Sequence, residues 1–266
     1  GPLRPVVTLS VEAFLDCGRL HNGFARLRCP TCKGEHLLAF SCQTRNFCPS
    51  CQAKRSALFA ERLTDEILAP VPHRHYVFTI PKALRGLFER ERRLLGLLSR
   101  CAYAAIKQSF RAVLGQPDVL PACVASLQTF GSYAANFHPH VHALVSEGAF
   151  DPEGELLPLP TLDTDALCEL FRRLVLDALL RVGRLSEAFH ASLLTWVHSG
   201  FWVHAEQLLF PEETQRTEHI ARYLTRPPIR LDALQEFTEH QVTISTAPDP
   251  RTGATSRTPR FAWLPG

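Results

Sequence analysis

Asn136-Phe137-His138-Pro139-His140-Val141-His142-Ala143-Leu144-Val145 reads as a strand with histidine along one side. The three histidines alternate with other residues and run into an apolar segment, which is the period of a β-strand. If the strand already starts at His138, then His138, His140 and His142 share a face. Proline fits only the first residues of a strand or an edge, so the firmer pair is His140 and His142, with hydrophobic Val141 between them. Two imidazoles on one strand face can share a metal ion. Spacing alone leaves open the plainer reading, a surface strand rich in histidine by chance.

The flanking sequence supplies partners for this strand. His75-Tyr76-Val77-Phe78-Thr79-Ile80 is rich in β-branched and aromatic residues and is closed by Pro81, so it reads as a strand. Val124 to Tyr133 reads as another, joined to the histidine strand as a hairpin through a short link that carries Asn136. Between them, Lys82 to Leu114 has leucines near helical spacing and arginines on the other face, and Gly115-Gln116-Pro117 stops it. Helices are expected over residues 164–182, 186–194 and 213–225, with strand character from Trp196 to His204. The last helix must end before Pro227-Pro228, because a residue that precedes proline leaves the α region.

The first sixty residues have a different character. Six of the nine cysteines fall between Cys17 and Cys51. Cys29-Pro30-Thr31-Cys32 and Cys48-Pro49-Ser50-Cys51 are two C-x2-C knuckles, and two knuckles at this separation close a four-cysteine zinc site of the ribbon kind. The expected structural ligands are therefore Cys29, Cys32, Cys48 and Cys51. Cys17 and Cys42 lie in the same module as possible additional ligands or as small buried residues. So short a module has little core, so metal binding would supply folding energy. Arg45, Lys54 and Arg55 flank the second knuckle and could touch phosphates.

Composition bounds the class. A chain of 266 residues with 45% hydrophobic and 21% charged residues suits a globular protein with a sizeable core. No apolar run reaches the ~18 residues of a membrane helix and no signal-peptide pattern opens the chain, so the reading is cytosolic. In a reducing compartment nine cysteines suit metal rather than disulfides. Net charge is only +3, but residues 1–62 carry nine basic against four acidic groups, and residues 82–111 carry eight against two. Such concentration suggests a polyanion, although solvated helix faces also produce charge runs.

The helix ending near Thr225 carries Tyr223, with His219 one turn earlier on the same face and Arg222, Arg226 and Arg230 around it. A lone helical tyrosine is ordinarily a half-buried core residue. A phenol with a pKa of about 10 is a poor nucleophile at neutral pH, and neighbouring cations and a metal on a phosphate would supply what it needs.

From Phe14 to Ile229 the chain resembles the rolling-circle transposases of the insertion-sequence ninety-one family, which belong to the HUH (His-hydrophobe-His) superfamily of single-strand endonucleases. Four stretches carry the resemblance in the family's order. They are Cys29 to Cys51, closing in Phe47-Cys48-Pro49-Ser50-Cys51; Tyr76-Val77-Phe78-Thr79-Ile80-Pro81; Gln128-Thr129-Phe130-Gly131 leading to Phe137-His138-Pro139-His140-Val141-His142; and Ala221-Arg222-Tyr223-Leu224-Thr225-Arg226-Pro227-Pro228. The resemblance implies that His140 and His142 hold a catalytic Mg²⁺ or Mn²⁺, with His219 or His138 as a further ligand. It implies that Tyr223 attacks single-stranded DNA to give a 5′-phosphotyrosine, and that Arg222 and Arg226 contact the DNA. Some members carry a second tyrosine four residues before the one that matches Tyr223; here His219 stands there, which favours the single-tyrosine branch.

The expected architecture is α+β: a small zinc ribbon over residues 1–69, an HUH-endonuclease-like domain with a central antiparallel sheet over 70–230, and a C-terminal tail over 231–266, short relative to the family. The expected function is metal-dependent cleavage and strand transfer in transposition, with single-stranded transposon ends and target as partners and no membrane. A plasmid replication initiator or relaxase would use the same chemistry. A catalytically inactive zinc-dependent DNA-binding fragment is the rival of a different class, and a hydrolytic zinc enzyme using His140 and His142 is a third.

Overall fold

The computed structural model describes residues 3–44, 46–131, 136–228, 233–237, 242–246, 248 and 252–258. Helix α1 (Pro5–Leu15) opens the chain, its proline placed where the first turn needs no amide donor. Strands β1 (Phe24–Arg28) and β2 (Glu35–Ala39) form an antiparallel hairpin. Helix α2 (Pro49–Arg62) passes into a single π-helical stretch, Leu63–Ile67. Then come β3 (His73–Thr79), α3 (Lys82–Arg90), α4 (Leu95–Leu114), β4 (Cys123–Phe130) and β5 (Phe137–Ser146). The short strands β6 (Gly148–Phe150) and β7 (Leu156–Pro158) form a hairpin ahead of α5 (Thr164–Arg181) and α6 (Glu187–Thr195). Strand β8 (Trp202–Leu209) precedes α7 (Thr214–Leu224), and β9 (Leu234–Phe237), β10 (Val242–Ser245) and β11 (Ser256–Arg257) end the described chain. Among the described residues no helix is long and apolar enough to cross a membrane.

The chain divides into two compact units, one of Gly1–Arg62 with Ala221–Gly266 and the other of Leu63–Ile220. The second is built on an antiparallel sheet of order β4-β5-β3-β8. Directly paired residues in a ladder share a face, which sorts the side chains. Val141 of β5 pairs with Phe78 and Leu127, and Ala143 with Tyr76 and Ala125. Val141, Phe78, Ala143 and Tyr76 belong to the main core, together with Leu84 and Phe88 of α3, Leu98, Ala102 and Ile106 of α4, and Phe171 and Val175 of α5, and the partly buried Leu127 packs against it. Phe171 meets Phe78 edge to face with centroids 5.0 Å apart. Helices thus cover one face, and the other carries the histidines.

Local chemistry explains most of the boundaries. Asp163 caps α5 by accepting from the amides of Asp165 and Ala166, and Ser186 caps α6 by accepting from Phe189. The helix expected to run unbroken from Lys82 to Leu114 is two helices. Glu91, at φ −123° and ψ 77°, leaves the helical region while its carboxylate accepts from Arg93 and Arg184. Strand β8 starts only at Trp202, because Gly200 turns the chain at φ 70° and a Cβ there would lie 2.9 Å from Pro81.

In the first unit the β1–β2 hairpin is closed at its base by Gly18 N donating to Phe40 O and Phe40 N to Gly23 O, and Phe14 meets Phe47 edge to face. Strands β9, β10 and β11 form a small antiparallel sheet around β10. The segment from Ala221 groups with this unit. The reason is visible at Thr225: Gln52 donates to its carbonyl, and Ser56 Oγ lies 2.5 Å from its hydroxyl.

Candidate metal centres

The clearest centre is made of sulfur. The side chains of Cys17, Cys42, Cys48 and Cys51 converge, with all four sulfurs within 4.8 Å of one another. Cys17 to Cys51, Cys42 to Cys51 and Cys48 to Cys17 are each 3.6 Å, Sγ to Sγ. Four sulfurs at about 2.3 Å from a zinc ion would form a tetrahedron with edges of about 3.8 Å, so the set fits zinc. Cys48 and Cys51 come from the start of α2, Cys17 from the turn after α1 and Cys42 from the chain after β2. Cys42 N donates to Cys17 Sγ at 3.5 Å and Thr44 N to Cys42 Sγ at 3.4 Å.

Burial raises the Cys48 thiol to about 12. At Cys42 burial acts the same way, but hydrogen bonds from Thr44 and the neighbouring sulfurs pull the thiol down to about 6. Four crowded thiols of this kind cannot all ionise alone; a divalent cation replacing their protons removes the repulsion.

The two knuckles expected to share one zinc do not meet. Cys29 and Cys32 lie in the tight turn at the tip of the β1–β2 hairpin, exposed, with Cys29 N donating to Gly34 O and Lys33 N to Cys29 O. The amides of Cys32 and Thr31 hold the Cys29 thiol below its ordinary range. Antiparallel pairing from Phe24↔Ala39 to Arg28↔Glu35 puts that tip at the far end of the ribbon from Cys17 and Cys42, which flank its base. Five residues of strand at about 3.4 Å each separate tip from base by about 17 Å, too far for one ion.

The histidine face belongs to the second unit. His140 and His142 are buried, at 7% and 2% exposure, and their rings meet at 4.7 Å between centroids. His140 pairs with Thr79 and Gln128, and His142 with Val77 and Ser126. His140 Nδ1 lies 2.7 Å from the carbonyl of His138. A carbonyl only accepts, so Nδ1 carries the proton and Nε2 carries the lone pair a metal needs. His142 Nδ1 lies 3.0 Å from Nε2 of His75, a residue singled out in the sequence only as part of a strand. Glu206 Oε2 lies 3.1 Å from His75 Nδ1, at ion-pair distance although out of line for a well-formed hydrogen bond. Neither partner was legible locally, because both act across the ladder.

His138 adjoins His140 with centroids 5.3 Å apart, and its buried Nε2 has no hydrogen-bond partner among the described residues. Burial, then Arg85 and His140, lower its pKa to about 4, so its imidazole is neutral. Among the described residues, only the cysteine cluster brings three or more His, Cys, Asp or Glu ligand atoms within 4.8 Å of one another. Neither His138 nor His219 joins His140 and His142 in such a group among the described residues. On the histidine face Trp202 is exposed at 65% on the edge strand β8.

Helix α7 carries His219 and Tyr223. Arg226 sets its guanidinium over the Tyr223 ring, 4.1 Å from the centroid, where a cation is attracted by the ring face. Of the other basic residues expected to meet DNA, Arg222, Lys54 and Arg55 are exposed, and Arg45 lies outside the described residues.

Comparison with known proteins extends these observations. A family described as "Transposase zinc-binding domain" matches residues 1–80, and one described as "Putative transposase" matches residues 123–260. The chain is 28% identical over 274 aligned residues to the transposase for insertion sequence element IS801 of Pseudomonas savastanoi pv. phaseolicola, covering 96% of this chain and 63% of that protein. It is 33% identical over 159 residues to the putative transposase y4qJ of Sinorhizobium fredii, covering 57% of this chain and 38% of that one. The chain therefore spans less than two thirds of the length of either relative. No solved structure matches it.

Proposed function

Because the chain belongs to the insertion-sequence ninety-one family of transposases, with an N-terminal zinc-binding domain, we propose that it cleaves and rejoins single-stranded DNA through Tyr223. The observation that carries this reading is the pair His140 and His142 on one face of β5, with His140 Nε2 left as a lone-pair nitrogen by the bond at Nδ1. Together with the family, this favours an HUH-type centre. A Mg²⁺ or Mn²⁺ ion held there would polarise the scissile phosphate and offset charge that builds up in the transition state.

The chain's own residues do the rest. Tyr223 Oη forms a bond to phosphorus as the bond to the 3′-oxygen breaks, leaving a 5′-phosphotyrosine and a 3′-hydroxyl. The phenol proton leaves, and the departing 3′-oxygen takes one up. Arg226 over the Tyr223 ring supplies positive charge where the phenolate develops. Attack by a 3′-hydroxyl on the phosphotyrosine reverses the step and joins strands; the covalent link conserves the phosphodiester energy, so no nucleotide is consumed. Cys17, Cys42, Cys48 and Cys51 would hold a structural zinc, which would stiffen the unit carrying Tyr223. Lys54, Arg55 and Arg222 contribute backbone contacts to the DNA.

The test is covalent trapping. Zinc-loaded protein is mixed with Mn²⁺ and labelled single-stranded DNA carrying the ends of the cognate element, and the products are run on a denaturing gel beside Tyr223→Phe and His140→Ala. Label retained on the wild-type protein and lost in both variants is the expected result. Nicks that survive Tyr223→Phe without an adduct would move the chain to hydrolytic chemistry, and binding without cleavage would make it a DNA-binding fragment.

A further inference from the structure

We infer that Glu206 and His75 are positioning residues, which together fix His142 in the tautomer that presents Nε2 to a divalent cation. This rests on the reading of His142 as a metal ligand given above. The problem at His142 differs from that at His140. His140 Nδ1 faces a carbonyl, which settles its proton. His142 Nδ1 faces another imidazole nitrogen, His75 Nε2, at 3.0 Å, and either nitrogen can donate. If His75 donated, the proton of His142 would sit on Nε2 and its lone pair would be spent on His75.

Glu206 breaks the tie. Its carboxylate lies 3.1 Å from His75 Nδ1, and an ionised carboxylate only accepts. With one proton on the His75 ring, that negative charge at ion-pair distance favours it on Nδ1, which makes His75 Nε2 the acceptor and His142 Nδ1 the donor. The lone pair of His142 then lies on Nε2, as in His140. His75 and His142 are each 2% exposed, so water does not compete for the shared contact.

The fold places Glu206 there by an irregularity rather than by the regular ladder. Arg74 pairs with Leu208 in β8, but Tyr76 pairs with Ala205, so two residues of β8, Glu206 and Gln207, stand opposite His75 alone. This is a β-bulge. In an unbroken register Glu206 would pair with Tyr76 and point into the apolar core. The extra residue moves Ala205 onto that face and turns Glu206 to the histidine face, the re-aiming of a side chain that bulges perform beside active sites. Arg74 fixes the bulge by donating from Nη1 to Glu206 O at 3.1 Å, while its guanidinium also binds Glu147.

Two measurements test this in the zinc-loaded full chain. Long-range ¹H–¹⁵N correlation of ¹⁵N-histidine protein without added divalent ion reads the tautomer directly. His142 with its proton on Nδ1, giving way to mixed tautomers in Glu206→Gln, is expected; a proton on Nε2 in the wild type overturns the proposal. Calorimetric titration with Mn²⁺ alone reads the consequence. Affinity should fall about 10-fold in Glu206→Gln and as much as about 100-fold in His75→Gln, the range for partners that orient a ligating histidine. Wild-type affinity in Glu206→Gln, whose exposed side chain can change without unfolding the sheet, also overturns it. His140→Ala keeps the two questions apart: if it binds Mn²⁺ as the wild type does, the metal reading fails, and the tautomer measurement still decides the role of Glu206.

Discussion

Exchanging single cysteines decides which four thiols hold zinc. Replacing Cys42 by serine removes one corner of a set in which three edges are 3.6 Å, close to the roughly 3.8 Å of a zinc–sulfur tetrahedron. Structural zinc sites with four ligands bind with an apparent 10–16 kcal/mol, so one ligand in four carries about 3–4 kcal/mol. At about 1.4 kcal/mol per decade, Cys42→Ser should weaken zinc binding by roughly 10²–10³-fold. Cys17→Ser should do the same. The double variant Cys29→Ser/Cys32→Ser should keep that tightly held ion, because the hairpin tip lies about 17 Å of strand from the cluster. The assay is zinc content by elemental analysis after dialysis against a graded chelator, with thermal unfolding alongside. Loss of the ion in Cys29→Ser/Cys32→Ser, with full retention in Cys17→Ser and Cys42→Ser, would refute the reasoning and restore the two-knuckle site.

Three further outcomes follow from other parts of the molecule. Glu91 is held down to about 2 by Arg184 first and Arg93 second, so its share of stability is present above the ordinary carboxylate pKa and is lost as pH falls toward 2; Glu91→Gln should flatten this acid limb of the unfolding curve, measured by circular dichroism against pH. Trp202 is 65% exposed on the face that carries the histidines; Trp202→Ala should leave the melting temperature unchanged and weaken single-stranded DNA binding by about 1–3 kcal/mol in a fluorescence anisotropy titration, as loss of one stacked base does. Phe78 is fully buried against Phe171, so Phe78→Ala should destabilise the second unit by about 3–5 kcal/mol in urea unfolding, with zinc content unaffected.

The elements of the second unit were legible because their signals are local. Alternation in β5 and the apolar runs of β3 and β4 follow from which side chains a pleated strand can bury, and Asp163 and Ser186 mark helix starts by the amides they cap. The break at Glu91 was not legible, because the arginine that accompanies it, Arg184, is 93 residues away. The grouping of Tyr223 with the N-terminal unit was likewise hidden, since it depends on Gln52 and Ser56 reaching Thr225.

The two candidate metal centres divide between sequence and fold in the same way. Sequence alone put His140 and His142 on one face, because period-two geometry is a property of any strand. It also identified the N-terminal segment as a cysteine-rich zinc module. It could not choose the four sulfurs. Spacing treats Cys29-x-x-Cys32 and Cys48-x-x-Cys51 as equivalent, whereas strand pairing sends the first to the tip of a ribbon and gathers Cys17 and Cys42 at its base. Nor could it assign His142 its neighbours: His75 is 67 residues distant in sequence, and Glu206 faces it only because β8 carries one residue more than β3 at the bulge. Backbone periodicity is set residue by residue, but which side chains meet is set by strand register, and register is decided only when the sheet closes.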